Sequence, residues 1–159
     1  MAPVVHKQAK LPPSQRLPRR RGQIFLKRVY DPARAADGHR VLVDRLWPRG
    51  LSRAAARIQV WLRDLAPSDR LRTWFGHDPH RWAEFRRRYR GELASPDKGA
   101  VLRTLAERAR REAVTLVFAA ADPDRNNAVV LKEVLEGILE KRAAGGEAGP
   151  PRGGRPGSR

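Results

Sequence analysis

The sequence predicts a single small α/β domain, in which a short, mainly parallel sheet is covered by about five helices. Apolar runs of strand length occur three times in the chain. Elsewhere, apolar residues recur at the three- and four-residue steps that are typical of amphipathic helices. Because the helices outnumber the strands and the strands are nearly all apolar, a layered α/β domain is favoured over an all-β or all-α fold.

Both ends of the chain lack these patterns and are predicted to be disordered. Residues 1–22 carry six basic residues, no acidic residue and four prolines, which is typical of a disordered basic arm. Residues 143–159 form a Gly/Pro-rich tail of the kind that does not build a packed core. The folded domain is therefore predicted to span residues 23–142.

Three strands are predicted. They are QIFLKRV at 23–29, RVLVDRL at 40–46 and AVTLVFAA at 113–120. The segment 31–39 between the first two strands contains Asp-Pro and Asp-Gly, which favour turns. It is shorter than the dozen or more residues usual for a parallel crossover, so a hairpin is an alternative for the first pair.

Five helices are predicted from apolar spacing and capping residues. They cover 51–65 with Ser52 as a possible N-cap, 68–76 with Ser68 as N-cap and Gly76 at the end, a segment starting at Asp78-Pro79, the segment 98–112, and a last helix that follows a turn at 122–124.

The first candidate site lies in VLVDRLWPRGLS, residues 41–52. Asp44, Arg45 and Arg49 fall at the carboxyl end of the second strand and in the loop after it, where ligands bind in open α/β sheets. Pro48 disfavours helix at the preceding residue, and Gly50 permits a left-handed turn toward the next helix. The alternative is a salt-bridged structural corner, in which Asp44 holds an arginine.

The second candidate segment is AAADPDRNNAVVL, residues 119–131, which follows the third strand and enters the last helix. Asn126 and Asn127 are expected in the first turn of that helix, whose N-terminus attracts anions. Because the carboxyl ends of parallel strands share one edge, both asparagines are predicted to converge on one anion with Arg45 and Arg49. The alternative is that the Asn and Asp side chains of this segment only cap and turn the chain.

Other residues give weaker signals. Lys27, Arg28 and Tyr30 end the first strand and join the site only if the topology directs them there. The sequence HDPH at 77–80 offers no evident third ligand, so no metal site is predicted, and no cofactor motif is present. The arginines at 86–90 are expected to form a solvated helix face.

Charge and composition bound the function classes. The formal net charge is +17, which makes weak, non-specific nucleic-acid binding by the basic surface and arm the alternative function. The absence of cysteine excludes disulfides and thiol chemistry. No apolar region of the kind found in a signal sequence follows the opening Met-Ala-Pro, and no apolar run is long enough for a membrane span, so we expect a cytoplasmic protein with no membrane partner.

Several motifs resemble the bacterial YeaO-like branch of a domain-of-unknown-function family. They are LKRVYDPARAADGHRVLVDRLWPRGLS, LRTWFGHDPHRWAEFRRRY and VTLVFAAADPDRNNAVVL, and the match runs from about residue 24 to 139. The resemblance implies a small cytoplasmic α/β domain and no established activity. YeaO-like proteins commonly have Asn-His-Ala where this chain has Asn126, Asn127 and Ala128. An amide cannot titrate near neutral pH, so a proton-transfer role of that histidine is absent here, whereas hydrogen bonding to an anion remains feasible.

The resulting hypothesis is a pocket for a small anion, either phosphate or a nucleotide. Arg45 and Arg49 supply charge, Asn126 and Asn127 donate hydrogen bonds, and Asp44 orients an arginine or acts as a base. No residue is assigned a catalytic role, and neither an enzymatic reaction nor an oligomeric state is predicted.

Overall fold

The computed structural model describes residues 23–145, with side chains up to residue 143. The predicted disordered arm, residues 1–22, lies outside the described residues, as does the part of the predicted tail from 146 to 159. The last helix extends to Gly145, three residues past the predicted end of the domain.

The sheet contains four strands, and every neighbouring pair in it is parallel. The strands are β1 (Ile24–Arg28), β2 (His39–Leu42), β3 (Val60–Trp61) and β4 (Val114–Phe118), and their order across the sheet is β1-β4-β2-β3. The predicted α/β class with a short parallel sheet is therefore confirmed. The hairpin alternative for the first two strands is wrong, because β4 lies between β1 and β2 and pairs with both.

The short return from β1 to β2 depends on a glycine. Residues 29–38 bring the chain back over about four residues of strand, or roughly 13 Å, which a nearly extended segment can span. At the end of this return Gly38 has φ +65°, and a Cβ added there would lie 2.3 Å from the main-chain oxygen of Ala113. A close backbone approach to β4 therefore requires glycine at this position.

Five α-helices cover the sheet in the described residues. They are α1 (Arg53–Ala56), α2 (Asp69–Phe75), α3 (Trp82–Leu93), α4 (Pro96–Arg111) and α5 (Asn127–Gly145), and short 3₁₀ turns occupy Ala35–Asp37, Arg63–Leu65 and Pro79–Arg81. No helix among these residues is long and apolar enough to cross a membrane.

The predicted helix over residues 51–65 is wrong for most of its length. Ser52 does cap α1, since its Oγ accepts from the amide of Ala55 at 3.1 Å. The helix ends after one turn, where Arg57 adopts a left-handed conformation with φ +47°. Val60 and Trp61 then form β3 beside β2. β-Branched and aromatic residues favour a strand, and pairing with a buried neighbour outweighs the helical spacing.

The remaining helix signals are confirmed with small shifts. The Ser68 hydroxyl accepts from the amide of Leu71 at the start of α2, and Gly76 ends that helix with φ +50°. Asp78 caps as expected, but the turn it begins is 3₁₀, and α3 starts at Trp82. β4 is buried along its whole length and forms the centre of the core.

Candidate functional site

A cavity of about 560 Å³ opens where β1, β2 and β4 end. All five residues predicted for the site, namely Asp44, Arg45, Arg49, Asn126 and Asn127, line this cavity. The convergence follows from the topology, because the carboxyl ends of parallel strands lie at one edge of the sheet. An anion can bind there only if polar atoms of the wall point into the cavity and are not already used by protein partners.

The loop after β2 is held in place by its own residues. The indole nitrogen of Trp47 donates to the main-chain oxygen of Leu51 at 2.7 Å, and its ring meets Trp61 edge-on with 5.6 Å between centroids. Pro48 is buried, and Gly50 has φ +76°, as expected for the turn toward α1. The loop is therefore a rigid support for the side chains that it projects.

Asp44 ties the ends of two strands to the start of α5. One carboxylate oxygen accepts from the amide of Ala119 at 2.8 Å, and the other accepts from Nδ2 of Asn127 at 3.1 Å. Burial raises the pKa of Asp44 above its usual value, because the charged carboxylate loses water, while these two hydrogen bonds act in the opposite direction. The expected pairing of Asp44 with an arginine is not what the structure has, since both of its oxygens accept from amides.

The two asparagines also donate to atoms of the protein. Nδ2 of Asn127 donates to the main-chain oxygen of Val43 at 2.8 Å as well as to Asp44. Asn126 is buried, its Nδ2 donates to the oxygen of Asp122 at 3.0 Å, and its Oδ1 accepts from the amide of Val129. Asn126 thus caps α5. The amides join the loop after β4 to the loop after β2, which is the capping and turning role that was the alternative for this segment.

The arginines of the β2 loop are placed differently. Nε of Arg45 lies 3.1 Å from Oδ1 of Asp69 on α2, and the Arg45 side chain keeps 34% of its surface exposed. Arg49 is exposed, and its main-chain oxygen accepts from the hydroxyl of Tyr30 at 3.0 Å. Tyr30 therefore holds the backbone of Arg49, and the guanidinium group has no hydrogen-bond or ion-pair partner among the residues that the structure describes.

Four further polar or charged residues line the cavity: Arg28 and Tyr30, whose place depended on the topology, and Arg72 and His77, which the sequence did not assign to it. Arg28 is anchored by its Nε, which donates to the oxygen of Ala120 at 3.0 Å, and its guanidinium lies 5.2 Å from the centroid of the Tyr30 ring. The position of Arg28 and Tyr30 at the end of β1 was a usable signal once the strand direction was known. Arg72 on α2 carried no signal that distinguished it from any exposed helical arginine.

Lys27, the third residue considered at the end of β1, points elsewhere. Its Nζ lies 3.1 Å from both carboxylate oxygens of Asp37, which also accepts from Arg40 at 2.6 Å. These contacts hold the return from β1 to β2 against the sheet. Lys27 is therefore part of the crossover and not of the cavity.

The HDPH segment is divided between a helix start and the cavity. Oδ1 of Asp78 accepts from the amide of His80 at 2.9 Å, and His77 lines the cavity. No group of three His, Asp or Glu side chains suited to a metal ion occurs in the part of the chain that the structure describes.

The arginine face of α3 is paired with acids. Arg86 and Arg90 both bind Glu133 on α5, while Arg87 and Arg88 both bind Glu84. These contacts reduce the positive field that a nucleic acid would meet there. Nucleic-acid binding by the basic surface and the arm, residues 1–22, which lie outside the described residues, stays a prediction.

Comparison with known proteins identifies the family. A family model described as the inactive DUF488-N3 subclade matches residues 23–152. The chain belongs to this subclade. The chain is also 41% identical over 118 residues to uncharacterized proteins of Mycobacterium tuberculosis and Mycobacterium bovis, covering 74% of this chain and 98% of each relative. It is 38% identical over 115 residues to the uncharacterized protein YeaO of Escherichia coli, covering 72% and 98%. The YeaO-like resemblance is confirmed, and no solved structure matches this DUF488-N3 chain.

Proposed function

We propose that this chain binds a small anion of the phosphate class in the cavity at the carboxyl ends of its strands. The observation that carries the proposal is the charge around the cavity. Four arginines line it, at positions 28, 45, 49 and 72, and the single carboxylate that lines it is Asp44, whose oxygens already accept from amides. Such a cavity attracts negative charge and offers it several guanidinium donors.

Arg49 is the main anion contact in this proposal. Its loop is held by Trp47 and by the hydroxyl of Tyr30, so the side chain starts from a fixed backbone. An arginine ordered in advance loses less entropy when it meets an anion, and its planar group binds two phosphate oxygens at once. Arg45 is the second contact, and it exchanges part of its pairing with Asp69 for the ligand.

Asn126 and Asn127 support the site from behind in this proposal, and do not contact the ligand as the sequence suggested. Their amide groups already donate to Asp122, Val43 and Asp44. Both N–H groups of Asn127 are used in this way, so a new contact with an anion would leave one of its acceptors unpaired, which costs about 1–3 kcal/mol, and Asn126 is buried. Arg45 gives up only part of a pairing with the exposed Asp69, which costs less.

Binding is favoured over catalysis. The subclade to which the chain belongs is described as inactive. Asp44 is the carboxyl group with a raised pKa in the cavity, and it holds two loops together through both of its oxygens. A base that exchanges protons would neutralise this carboxylate in each cycle and so weaken both contacts, and a structural role therefore agrees better with its geometry.

Calorimetric titration of the full chain with pyrophosphate tests the proposal. Arg49→Ala should weaken binding about ten-fold or more, as expected when a charge-assisted contact of about 1.5–3 kcal/mol is lost. Arg87→Ala is the matched control, because it removes the same charge from an exposed arginine on α3, outside the cavity.

Salt dependence separates the cavity from a general basic surface. A site with a few arginine contacts should lose affinity mildly as salt increases, whereas polyanion binding by counterion release falls steeply. Equal affinities for Arg49→Ala and Arg87→Ala, or no binding of pyrophosphate at low salt, would contradict the proposal.

A further inference from the structure

We infer that the ligand of this cavity carries an apolar, planar group beside its negative charge, as an aryl phosphate ester does. This inference rests on the proposed function and goes beyond it, because it names what lies next to the phosphate. It is drawn from the apolar side chains of the cavity wall, which cannot themselves hold a phosphate.

Exposed apolar side chains are concentrated at this cavity. In the described residues four large apolar side chains are exposed, namely Phe25, Tyr30, Leu46 and Val101. Two of them line the cavity: Leu46, which is 58% exposed and has the largest exposed fraction of the four, and Tyr30, which is 44% exposed. Apolar groups that face solvent around a concave site are typical of a ligand-binding surface.

The inner wall of the cavity is apolar as well. Phe75 and Phe85 line it and stack on each other with 4.3 Å between ring centroids. Pro48 and Pro67 line it too, and both are buried. These four side chains are buried, with Phe75 5% and Phe85 2% exposed, so they make the floor of the cavity apolar while Leu46 and Tyr30 supply the exposed apolar surface that a ligand can cover.

The size of the cavity agrees with an organic ligand. Pockets of about 300–1,000 Å³ with mostly apolar walls and a few placed polar groups are the class that holds small organic molecules. The volume of about 560 Å³ falls in this class. Inorganic phosphate would engage the arginines and leave the exposed side chains of Leu46 and Tyr30 uncovered.

Tyr30 and Arg28 indicate why the apolar group is expected to be planar. The guanidinium of Arg28 lies over the Tyr30 ring, at 5.2 Å from its centroid, and is held there by the oxygen of Ala120. The ring is fixed at its other end by the hydroxyl contact with Arg49. A flat aromatic side chain and a flat guanidinium, both restrained, present surfaces on which an aromatic ring packs with little loss of side-chain freedom.

The test compares phenyl phosphate with inorganic phosphate by calorimetry on the full chain. Phenyl phosphate should bind at least about ten-fold more tightly, since burial of most of a ring outweighs the loss of one ionisable oxygen. Leu46→Ala should lower this preference by about three-fold or more. Val101→Ala removes an exposed aliphatic side chain from α4, away from the cavity, and should leave the preference unchanged.

The outcomes separate the two levels of the proposal. Binding of inorganic phosphate without a preference for phenyl phosphate would overturn the aromatic ligand class and leave anion binding in place. A preference that Leu46→Ala and Val101→Ala reduce equally would also overturn it, because the ring would then lie elsewhere. Failure of both phosphates to bind would overturn the proposed function itself.

Discussion

The loops that follow β2 and β4 contain similar numbers of polar side chains but use them in opposite ways. After β4, the side-chain amide groups of Asn126 and Asn127 both donate to acceptors of the protein. After β2, Arg49 extends from a backbone that other residues hold, and Arg45 keeps a third of its side chain exposed. Of the two loops, only the one after β2 places arginines on the wall of the cavity.

This difference shows that the role of a polar residue at a strand end, in stability or in binding, depends on the atoms with which it is already paired. A buried amide that completes a hydrogen-bond network contributes to stability, because its removal leaves buried acceptors unpaired. An exposed arginine contributes little to stability and can therefore be kept for binding. Substitutions of the amides after β4 should consequently lower stability, whereas substitutions of the arginines after β2 should lower ligand affinity.

The largest effect is expected from Asn127→Ala. It removes the donor to the Val43 oxygen and to the Asp44 carboxylate, which joins the two loops. The free energy of unfolding should fall by about 1–3 kcal/mol in urea titration. Asp124→Ala is the control in the same loop, because Asp124 is exposed and should change stability by less than about 0.5 kcal/mol. Equal effects of the two variants would refute the division between the loops.

Arg49→Ala should give the reverse result. Its free energy of unfolding should stay within about 0.5 kcal/mol of the original chain, while pyrophosphate affinity falls about ten-fold. Arg49→Lys should recover only part of the affinity, because lysine keeps the charge and loses the planar group. A large loss of stability with no change in affinity would show that the β2 loop is a structural corner.

The pH dependence of stability tests the state of Asp44. Burial raises its pKa in the folded protein above 3.8, so the folded state holds this proton more tightly than the unfolded state does. The contribution of Asp44 to stability is therefore fully present below about pH 3.8 and is lost as pH rises through the folded-state pKa. The difference in unfolding free energy between the original chain and Asp44→Asn should shrink over this window. A difference that grows with pH would mean that the hydrogen bonds from Ala119 and Asn127 outweigh burial.

The smallest effect is expected from Asp69→Ala. Asp69 is exposed and pairs with Arg45 and Arg72, so its loss should cost less than about 1 kcal/mol of stability. It should also strengthen pyrophosphate binding by about two- to three-fold, because a competing carboxylate is removed from both arginines. Weaker binding in this variant would show that Asp69 orients Arg45 for the ligand and does not compete with it.

Much of the frame of the site was predictable from sequence, because it depends on local chemistry. The turn at Gly50, the cap at Ser52 and the position of Arg45 and Arg49 after a strand all follow from residue types a few positions apart. Their convergence with the β4 loop followed from one general property of parallel sheets.

The rest depended on contacts between distant parts of the chain. Asn127 meets the oxygen of Val43, 84 positions away, and no local pattern shows that its amide is already used. β3 is two residues long and forms because β2 lies beside it. The local spacing of apolar residues therefore predicted a helix where the structure has a strand. Arg28 and Tyr30 could be assigned only when β1 was known to run parallel to β4.

The central claim is that an anion is held at the β2 loop, beside the start of α5, and the most direct measurement is an amide chemical-shift titration of the isotope-labelled full chain with pyrophosphate. The account predicts that the largest shifts fall in residues 44–50, with smaller shifts at 119–121 and at the first turn of α5. The guanidinium resonance of Arg49 should move with them. Shifts confined to residues 1–22 or to the arginine face of α3, with the resonances of residues 44–50 unchanged, would contradict the account.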